Sequence, residues 1–156
     1  MDEVTRRRLL HQYRDAPKAL ADAVASLSAT DLDRHAGNDW SARQVIHHIA
    51  DSELIEGTRL RRILAEDNPA IRWVDEVEDA RRLYYDRPIE SSVEVFSAVV
   101  LANLSLADRL DPTDWQRYGT HSRAGRYSVE DWLQKMSAHA HAHVAQLLRA
   151  AGREVN

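Results

Sequence analysis

The segment SAHAHAHVAQ, residues 137–146, places three histidines at every second position with alanines between them. A period of two is typical of one face of a β-strand, but alanine forms helices well and strands poorly. Upstream of the segment, Ser128 is followed three residues later by Asp131, which is the spacing of a helical capping box. We therefore predict a helix from Ser128 to about Ala150, ended by Gly152.

Helical geometry separates the three histidines of this segment. At about 100° per residue, His139 and His143 fall within or beside the apolar sector of the helix, whereas His141 points away from it. Two imidazoles four residues apart on one face are spaced to bind a single metal ion. The alternative is a pair of core histidines that hydrogen-bond to neighbouring groups. An apolar sector has few such partners, which favours a metal site at His139 and His143.

Two helices are predicted in the first half of the chain. Between residues 10 and 27 the apolar residues recur three and four positions apart, which indicates a helix with one buried face. Pro17 lies inside this pattern, so we expect a kink or a break there. A second helix begins at Ser41, whose capping-box partner is Gln44, and the segment EDNP at residues 66–69 ends it.

A third helix and the overall architecture follow from the same patterns. Ser91 and Glu94 form another capping box, and the apolar stripe that follows is ended by Asp111 and Pro112. A short helix is predicted around VEDARRLYY, residues 77–85, and no useful stretch alternates as a β-strand does. The sequence therefore predicts an all-α fold. It is a four-helix bundle with long crossover links, forming a single domain over residues 1–156.

A third metal ligand would have to come from the second helix, where His47 and His48 are adjacent. His48 lies nearer than His47 to the apolar face, so helix geometry favours His48. The polar residues Ser52, Glu53 and Glu56 fall on the inward side, where carboxylates suit a cation or a polar cavity, or else a solvent-facing groove. The chain contains no cysteine, so a metal site must be built from histidine and carboxylate groups.

The charge and the hydropathy of the chain bear on its partners and its location. The formal net charge is −4 and no basic stretch dominates, so we expect no nucleic-acid partner. The N-terminal MDEVTRRRLL lacks the apolar segment of a secretory signal, and no apolar run approaches the ~20 residues of a membrane span. We therefore expect a cytoplasmic protein that does not bind a membrane.

Two segments together carry a family resemblance. DWSARQVIHHIADSE, residues 39–53, joins a Trp-Ser helix start to a histidine seven residues after the serine, and HAHAHVAQ follows at residues 139–146. The combination resembles the DinB-like superfamily, and within it the YfiT-like branch of metal-dependent hydrolases and thiol transferases. In that branch the pattern continues with an arginine, here Arg59, and with a linker similar to EDNPAIRWVDE at residues 66–76. The likeness spans roughly residues 27–148.

The resemblance implies an up-down-down-up four-helix bundle, commonly a homodimer, with a divalent metal ion held by three histidines. On the matching positions the ligands are His48, His139 and His143. The ion is zinc or nickel, with iron as a third candidate. The branch often carries a histidine where this chain has Glu53. We expect Glu53 to support the site from outside the ligand set or to be structural, with a base or an extra ligand as alternatives.

The resemblance also implies an enzyme that acts on a small molecule, which includes the class of low-molecular-weight thiols. Three neutral imidazoles leave one coordination position open, and either water or a thiolate fills it. The histidines therefore do not distinguish a hydrolase from a thiol transferase. The competing hypothesis is a non-catalytic, stress-associated bundle in which the metal is structural.

Overall fold

The computed structural model describes residues 1–35, 37 and 39–153, so the last three residues of the predicted domain lie outside the described part. The four long helices predicted from the sequence are present, and two short helices lie in the connections. Their bounds are α1 Glu3–Ala25, α2 Ala29–Leu32, α3 Ala42–Ala65, α4 Glu76–Arg82, α5 Glu90–Ala107 and α6 Val129–Ala150. The predicted all-α four-helix bundle is confirmed, and α4 coincides with the short helix predicted in the long link.

The four long helices run up, down, down and up. His48 lies beside His143 whereas Glu56 pairs with Lys135, so α3 is antiparallel to α6. Contacts along their lengths show that α1 is parallel to α6 and that α5 is parallel to α3. The four long helices form a square. In it α6 packs against α1 and α3, and α5 also packs against α1 and α3. The consecutive pairs α1/α3 and α5/α6 therefore lie on diagonals, whereas α3 and α5 are parallel neighbours. A parallel pair and the α5/α6 diagonal both require long crossover links.

Capping boxes form at the starts of two of the long helices, as the sequence predicted. The Ser41 side chain accepts from the Gln44 backbone N–H while the Gln44 side chain accepts from the Ser41 backbone. Ser128 and Asp131 make the same reciprocal pair at the start of α6. Each box satisfies N–H groups that a helix start would otherwise leave unpaired, so these boundaries are set locally.

The predicted start of α5 is wrong. The helix begins at Glu90 with Ile89 as its N-terminal cap, and no side-chain hydrogen bond caps it. Ile89 is buried in the core, so burial of this side chain positions the helix start. Ser91 consequently lies inside the first turn, where its capping box with Glu94 does not form.

Of the kink or break expected at Pro17, the break does not occur, because α1 continues through the proline to Ala25. Tyr13 and Leu20, on either side of Pro17, are both fully buried. Burial of one continuous apolar face keeps both halves of the helix in register, and tertiary packing contributes most of the stability of a helix in a folded protein.

Helix α5 is the most apolar of the long helices. Its 18 residues, Glu90–Ala107, have a mean hydropathy of 1.3, which by length and composition alone would suit a membrane span. Only a third of this helix is buried, and it packs against α1 and α3 as one corner of the bundle. A single helix of this kind is weak evidence for a membrane span, because core helices pass the same test.

A small β-sheet corrects the expectation that no β-structure forms. Strand β1 (Ala70–Ile71) pairs in parallel with β2 (Tyr118–His121), which pairs in antiparallel with β3 (Gly125–Ser128). Strands of two to four residues are too short to show an alternating pattern, which is why the sequence did not reveal them. The sheet joins the two long links and leads directly into α6.

A glycine in α3 marks the close approach of α5. A Cβ at Gly57 would lie 3.0 Å from the Nδ2 atom of Asn103 and 3.1 Å from a methyl group of Val99. Alanine normally favours a helix interior by about 1 kcal/mol over glycine. We expect Gly57→Ala to lose this gain and to destabilise the fold by about 1 kcal/mol, because Asn103 must move. Thr58→Ala, on the exposed side of the same helix, is the control in urea unfolding and should be neutral; a stabilised Gly57→Ala would contradict the argument.

Candidate metal centre

Three imidazole rings converge between α3 and α6. The ring centroids of His139 and His143 are 4.4 Å apart, and the His48 ring lies 4.6 Å from His143 and 5.4 Å from His139. One nitrogen from each ring lies within 4.8 Å of the other two. The four-residue spacing on α6 stacks two rings one above the other, and the antiparallel α3 places the third beside them.

The surroundings of the trio hold two of its rings in place. The Nδ1 atom of His143 lies 2.6 Å from Oε1 of Gln146. Because an amide oxygen only accepts, Nδ1 carries the proton and the lone pair of Nε2 is left for a metal. Trp40 packs edge-on against His48 with 5.0 Å between the ring centroids, as expected for a residue at the start of α3. Ser52 Oγ is 3.5 Å from His48 Nδ1, at the outer limit of a hydrogen bond.

The chemistry of the trio fits a divalent cation. His48 Nε2 and His139 Nδ1 are buried and have no hydrogen-bond partner among the described residues. Burial lowers the pKa of His48 to about 4 and the pKa of His139 to about 3, and the charges of His143 and Lys135 add to this effect. Both rings are therefore neutral near pH 7, which is the form that binds a metal.

The neighbouring histidines face elsewhere. His141 turns away from the trio, as the helical geometry predicted, whereas His47 was expected farther than His48 from the apolar face and is fully buried. His141 Nε2 lies 2.8 Å from the carbonyl oxygen of Gln12 on α1. His47 is fully buried, with Nδ1 2.8 Å from Ser92 Oγ and Nε2 3.0 Å from the carbonyl oxygen of Arg87. Both nitrogens of His47 thus have partners. The structure places His48, and not His47, beside the α6 pair, and its role as a metal ligand stays a prediction.

Glu53 lies outside the trio and links three helices. Its carboxylate accepts from the hydroxyl of Tyr13 on α1 and, at 2.9 Å, from Nδ2 of Asn103 on α5. Asn103 also donates to the Tyr13 hydroxyl at 3.0 Å and accepts from Arg61 at 2.6 Å. This agrees with a structural role for Glu53. The inward position of Glu53 on α3 was predicted, but its contact with Tyr13 was not.

Burial raises the pKa of Glu53 to about 7, against 4.5 for an ordinary glutamate, and the nearby charge of Glu56 adds to this effect. The hydrogen bonds from Tyr13 and Asn103 oppose this rise in the pKa. Arg61 is the cation near Tyr13 and Glu53. Between these two pKa values the folded chain binds more protons than the unfolded chain. The contribution of Glu53 to stability therefore falls as the pH rises from about 4.5 to about 7 and is constant above that range.

We expect Glu53→Gln to remove this pH dependence, because the amide is neutral throughout. The free energy of unfolding of the variant minus that of the unmodified protein should rise by on the order of 3 kcal/mol between about pH 4.5 and about pH 8. Urea unfolding at both pH values measures the change, and Glu66→Gln on the exposed end of α3 is the control. A difference between variant and parent that is independent of pH would show that Glu53 is ionised in the fold at both pH values.

A second buried carboxylate, Glu56, holds a charged cluster one helical turn from the trio. Its Oε1 atom accepts from Arg59 at 2.6 Å and from Lys135 at 2.7 Å, and its Oε2 atom accepts from the Tyr127 hydroxyl at 3.1 Å. Lys135 precedes His139 by four residues, so it lies on the same face of α6. Tyr127 lies on β3, a strand that the sequence did not predict. Only the inward position of Glu56 was therefore predicted, and the rest of the cluster was not.

The family model described as the DinB superfamily matches residues 12–147, which is most of the chain. The chain belongs to the DinB superfamily. This confirms the resemblance proposed from the two histidine-bearing segments. The matched region contains all four long helices in whole or in large part, and it includes the three converging histidines.

Two bacterial proteins are similar to this chain over most of their length. A protein of Oceanobacillus iheyensis named "Putative metal-dependent hydrolase" is 33% identical over 139 residues, which covers 88% of this chain and 81% of that protein. A protein of the same name from Halalkalibacterium halodurans is 29% identical over 135 residues, which covers 86% and 79% of the two chains.

The structure of YfiT from Bacillus subtilis superposes with a TM-score of 0.90 at 24% identity, over 99% of this chain and 91% of YfiT. YfiT is described as a probable metal-dependent hydrolase with an unusual four-helix bundle topology. This similarity confirms the fold. A homodimeric assembly and a cytoplasmic location remain predictions.

Proposed function

We propose that His48, His139 and His143 bind a divalent metal ion and that this DinB-superfamily protein is a metal-dependent enzyme acting on a small molecule. The observation that carries the proposal is the convergence of the three rings, with one nitrogen of each within 4.8 Å of the others. The two unpaired buried nitrogens in the trio support it, because polar groups without a partner are uncommon in a folded interior. The proposed metal is zinc or nickel, with iron as the third candidate.

When bound to three neutral imidazoles, such an ion retains its full charge and lowers the pKa of a water molecule or thiol at the open position. The residues of the chain determine how the site is presented. Gln146 fixes the tautomer of His143, and Trp40 covers one side of His48. His139 and His143 are only partly buried, so one side of the trio is accessible to a small molecule.

Two chemistries fit this arrangement, and we propose a hydrolase or a thiol transferase. The names of the two relatives favour hydrolysis. A thiol co-substrate is supported by the lack of any anionic ligand in the trio, since the undiminished charge of the ion would stabilise a thiolate. The second candidate function, a structural metal, is supported by the position of the trio, which joins α3 to α6.

A metal-dependence assay tests the proposal. The protein loaded with zinc or with nickel should hydrolyse members of a panel of small esters and amides, or transfer a small thiol to an electrophile. Chelation should abolish this activity, and restoring the ion should recover it. If both panels are inactive and chelation changes only the melting temperature, the metal is structural and the enzymatic proposal is wrong.

A further inference from the structure

A cavity of about 370 Å³ lies directly beside the histidine trio. One wall is formed by Asp39 and Trp40, which precede α3, and the other by His143, Gln146 and Arg149 on α6. Two alanines of α6 complete the lining. His143, one of the three converging histidines, therefore also lines the cavity, as does Gln146, whose amide orients the His143 ring.

The cavity carries one charge of each sign. Asp39 and Arg149 are both exposed, and neither forms an ion pair with a described residue. Most other charged side chains around the bundle are paired, such as Arg43 with Asp33 near the start of α3. Arg149 lies in the last turn of α6, where its charge also complements the helix dipole. Within the described part of the chain, no residue accepts from the N–H groups of its guanidinium group.

We infer that this cavity binds a small molecule that carries both a carboxylate and an ammonium group, as an amino acid or a short peptide does. Arg149 would donate to the carboxylate, since guanidinium and carboxylate groups match in geometry. Asp39 would accept from the ammonium group. A purely anionic ligand would be opposed by Asp39 and a purely cationic one by Arg149, so the pair selects against both.

The remaining lining residues are consistent with such a ligand. The indole of Trp40 and the alanine methyl groups provide apolar surface for a side chain. The Oε1 atom of Gln146 accepts from His143, which leaves its amide N–H groups to donate to an oxygen of the ligand. The bound molecule would lie beside His143. The inference rests on the proposed function only for the reaction, in which the reacting group of the bound molecule would reach the proposed metal. Binding of the molecule itself does not require the metal.

Three probes that share the phenylalanine side chain and differ in which charges they carry test this selectivity. L-phenylalanine carries both charges, N-acetyl-L-phenylalanine carries only the carboxylate, and L-phenylalanine amide carries only the ammonium group. We expect calorimetric titration at mildly acidic pH to show that phenylalanine binds about tenfold more tightly than either analogue, because each analogue lacks one charge-assisted contact. Equal affinity for the three probes, or no detectable binding of any, would overturn the inference.

Variants of the two charged residues assign the selectivity to the cavity. Arg149→Met should weaken phenylalanine binding about tenfold, and Asp39→Asn should reverse the preference in favour of the N-acetyl analogue. Arg8→Met, which removes an exposed arginine from α1, is the matched control and should bind the probes as the parent does. Unchanged binding by Arg149→Met would refute the assignment.

The same titration on the His48→Ala variant separates this inference from the proposed function. If the variant lacks metal and still prefers phenylalanine, the cavity is selective whether or not the trio binds an ion. If the parent binds stoichiometric metal but shows no preference among the probes, the metal site stands and the cavity inference is wrong.

Discussion

Single replacement of His48, His139 or His143 with alanine is expected to leave the purified protein without stoichiometric metal. Each substitution removes one of three protein ligands and leaves two, which is too few for a closed or a catalytic site. Loss of even a residue that only orients a ligand costs about 10- to 100-fold in metal affinity, so loss of a ligand should exceed 100-fold. Elemental analysis after dialysis measures the occupancy.

His141→Ala is the matched control for these variants. It lies on the same helix between the two α6 ligands, yet its ring contacts the Gln12 carbonyl instead of the trio. This variant should retain one metal ion per chain. Stoichiometric metal in His48→Ala, or loss of metal in His141→Ala alone, would contradict the ligand assignment.

A smaller effect on metal affinity is expected at Gln146, whose Oε1 atom accepts from Nδ1 of His143 at 2.6 Å. Gln146→Ala should keep the three ligands but weaken metal affinity about 10- to 100-fold, because the orientation and tautomer of His143 are no longer fixed. A competition titration against a chelator resolves an effect of this size, which dialysis alone would miss.

Glu56→Gln is expected to destabilise the fold by about 3 kcal/mol. The side chain of Glu56 is 2% exposed and that of Arg59 is 11% exposed, so the substitution leaves a buried guanidinium group without its counter-charge. Removing one partner of a buried ion pair typically costs about 3–5 kcal/mol. The lower end applies here because Lys135, the second cation, is 45% exposed and retains its solvation. The free energy of unfolding in urea measures the loss.

The control for Glu56→Gln is Glu66→Gln, since Glu66 pairs with Arg62 on the same helix but at its exposed end. An exposed pair of this kind contributes little to stability, because solvent and salt screen it. Both variants should still bind metal, because neither residue belongs to the trio. Equal destabilisation by the two substitutions would show that burial does not govern the Glu56 interaction.

Local sequence signals were sufficient for two helix starts and for two of the three converging histidines. The capping boxes at Ser41 and Ser128 set two helix starts, because the hydrogen bonds involved span only three residues. The pairing of His139 with His143 on one face, and the separation of His141 from them, followed from helical periodicity alone. These features depend on contacts within a single helix.

Features that join distant segments were predicted poorly or not at all. The start of α5 at Ile89 depends on burial of that side chain against other helices, so the local box at Ser91 was misleading. Strand β1 depends on a partner strand some 50 residues away in the chain. The bond between Tyr13 and Glu53 joins residues 40 positions apart, and no spacing rule relates them.

The sequence by itself determined that this chain forms four amphipathic helices, that one of them presents a pair of histidines, and which superfamily it belongs to. Only the tertiary structure decided that His48 meets that pair, that Glu56 and Glu53 are partnered inside the bundle, and that Asp39 and Arg149 line the same cavity. The physical reason is the range of the interactions. Helix periodicity and capping act within a few residues, whereas convergence of side chains from separate helices depends on how those helices pack.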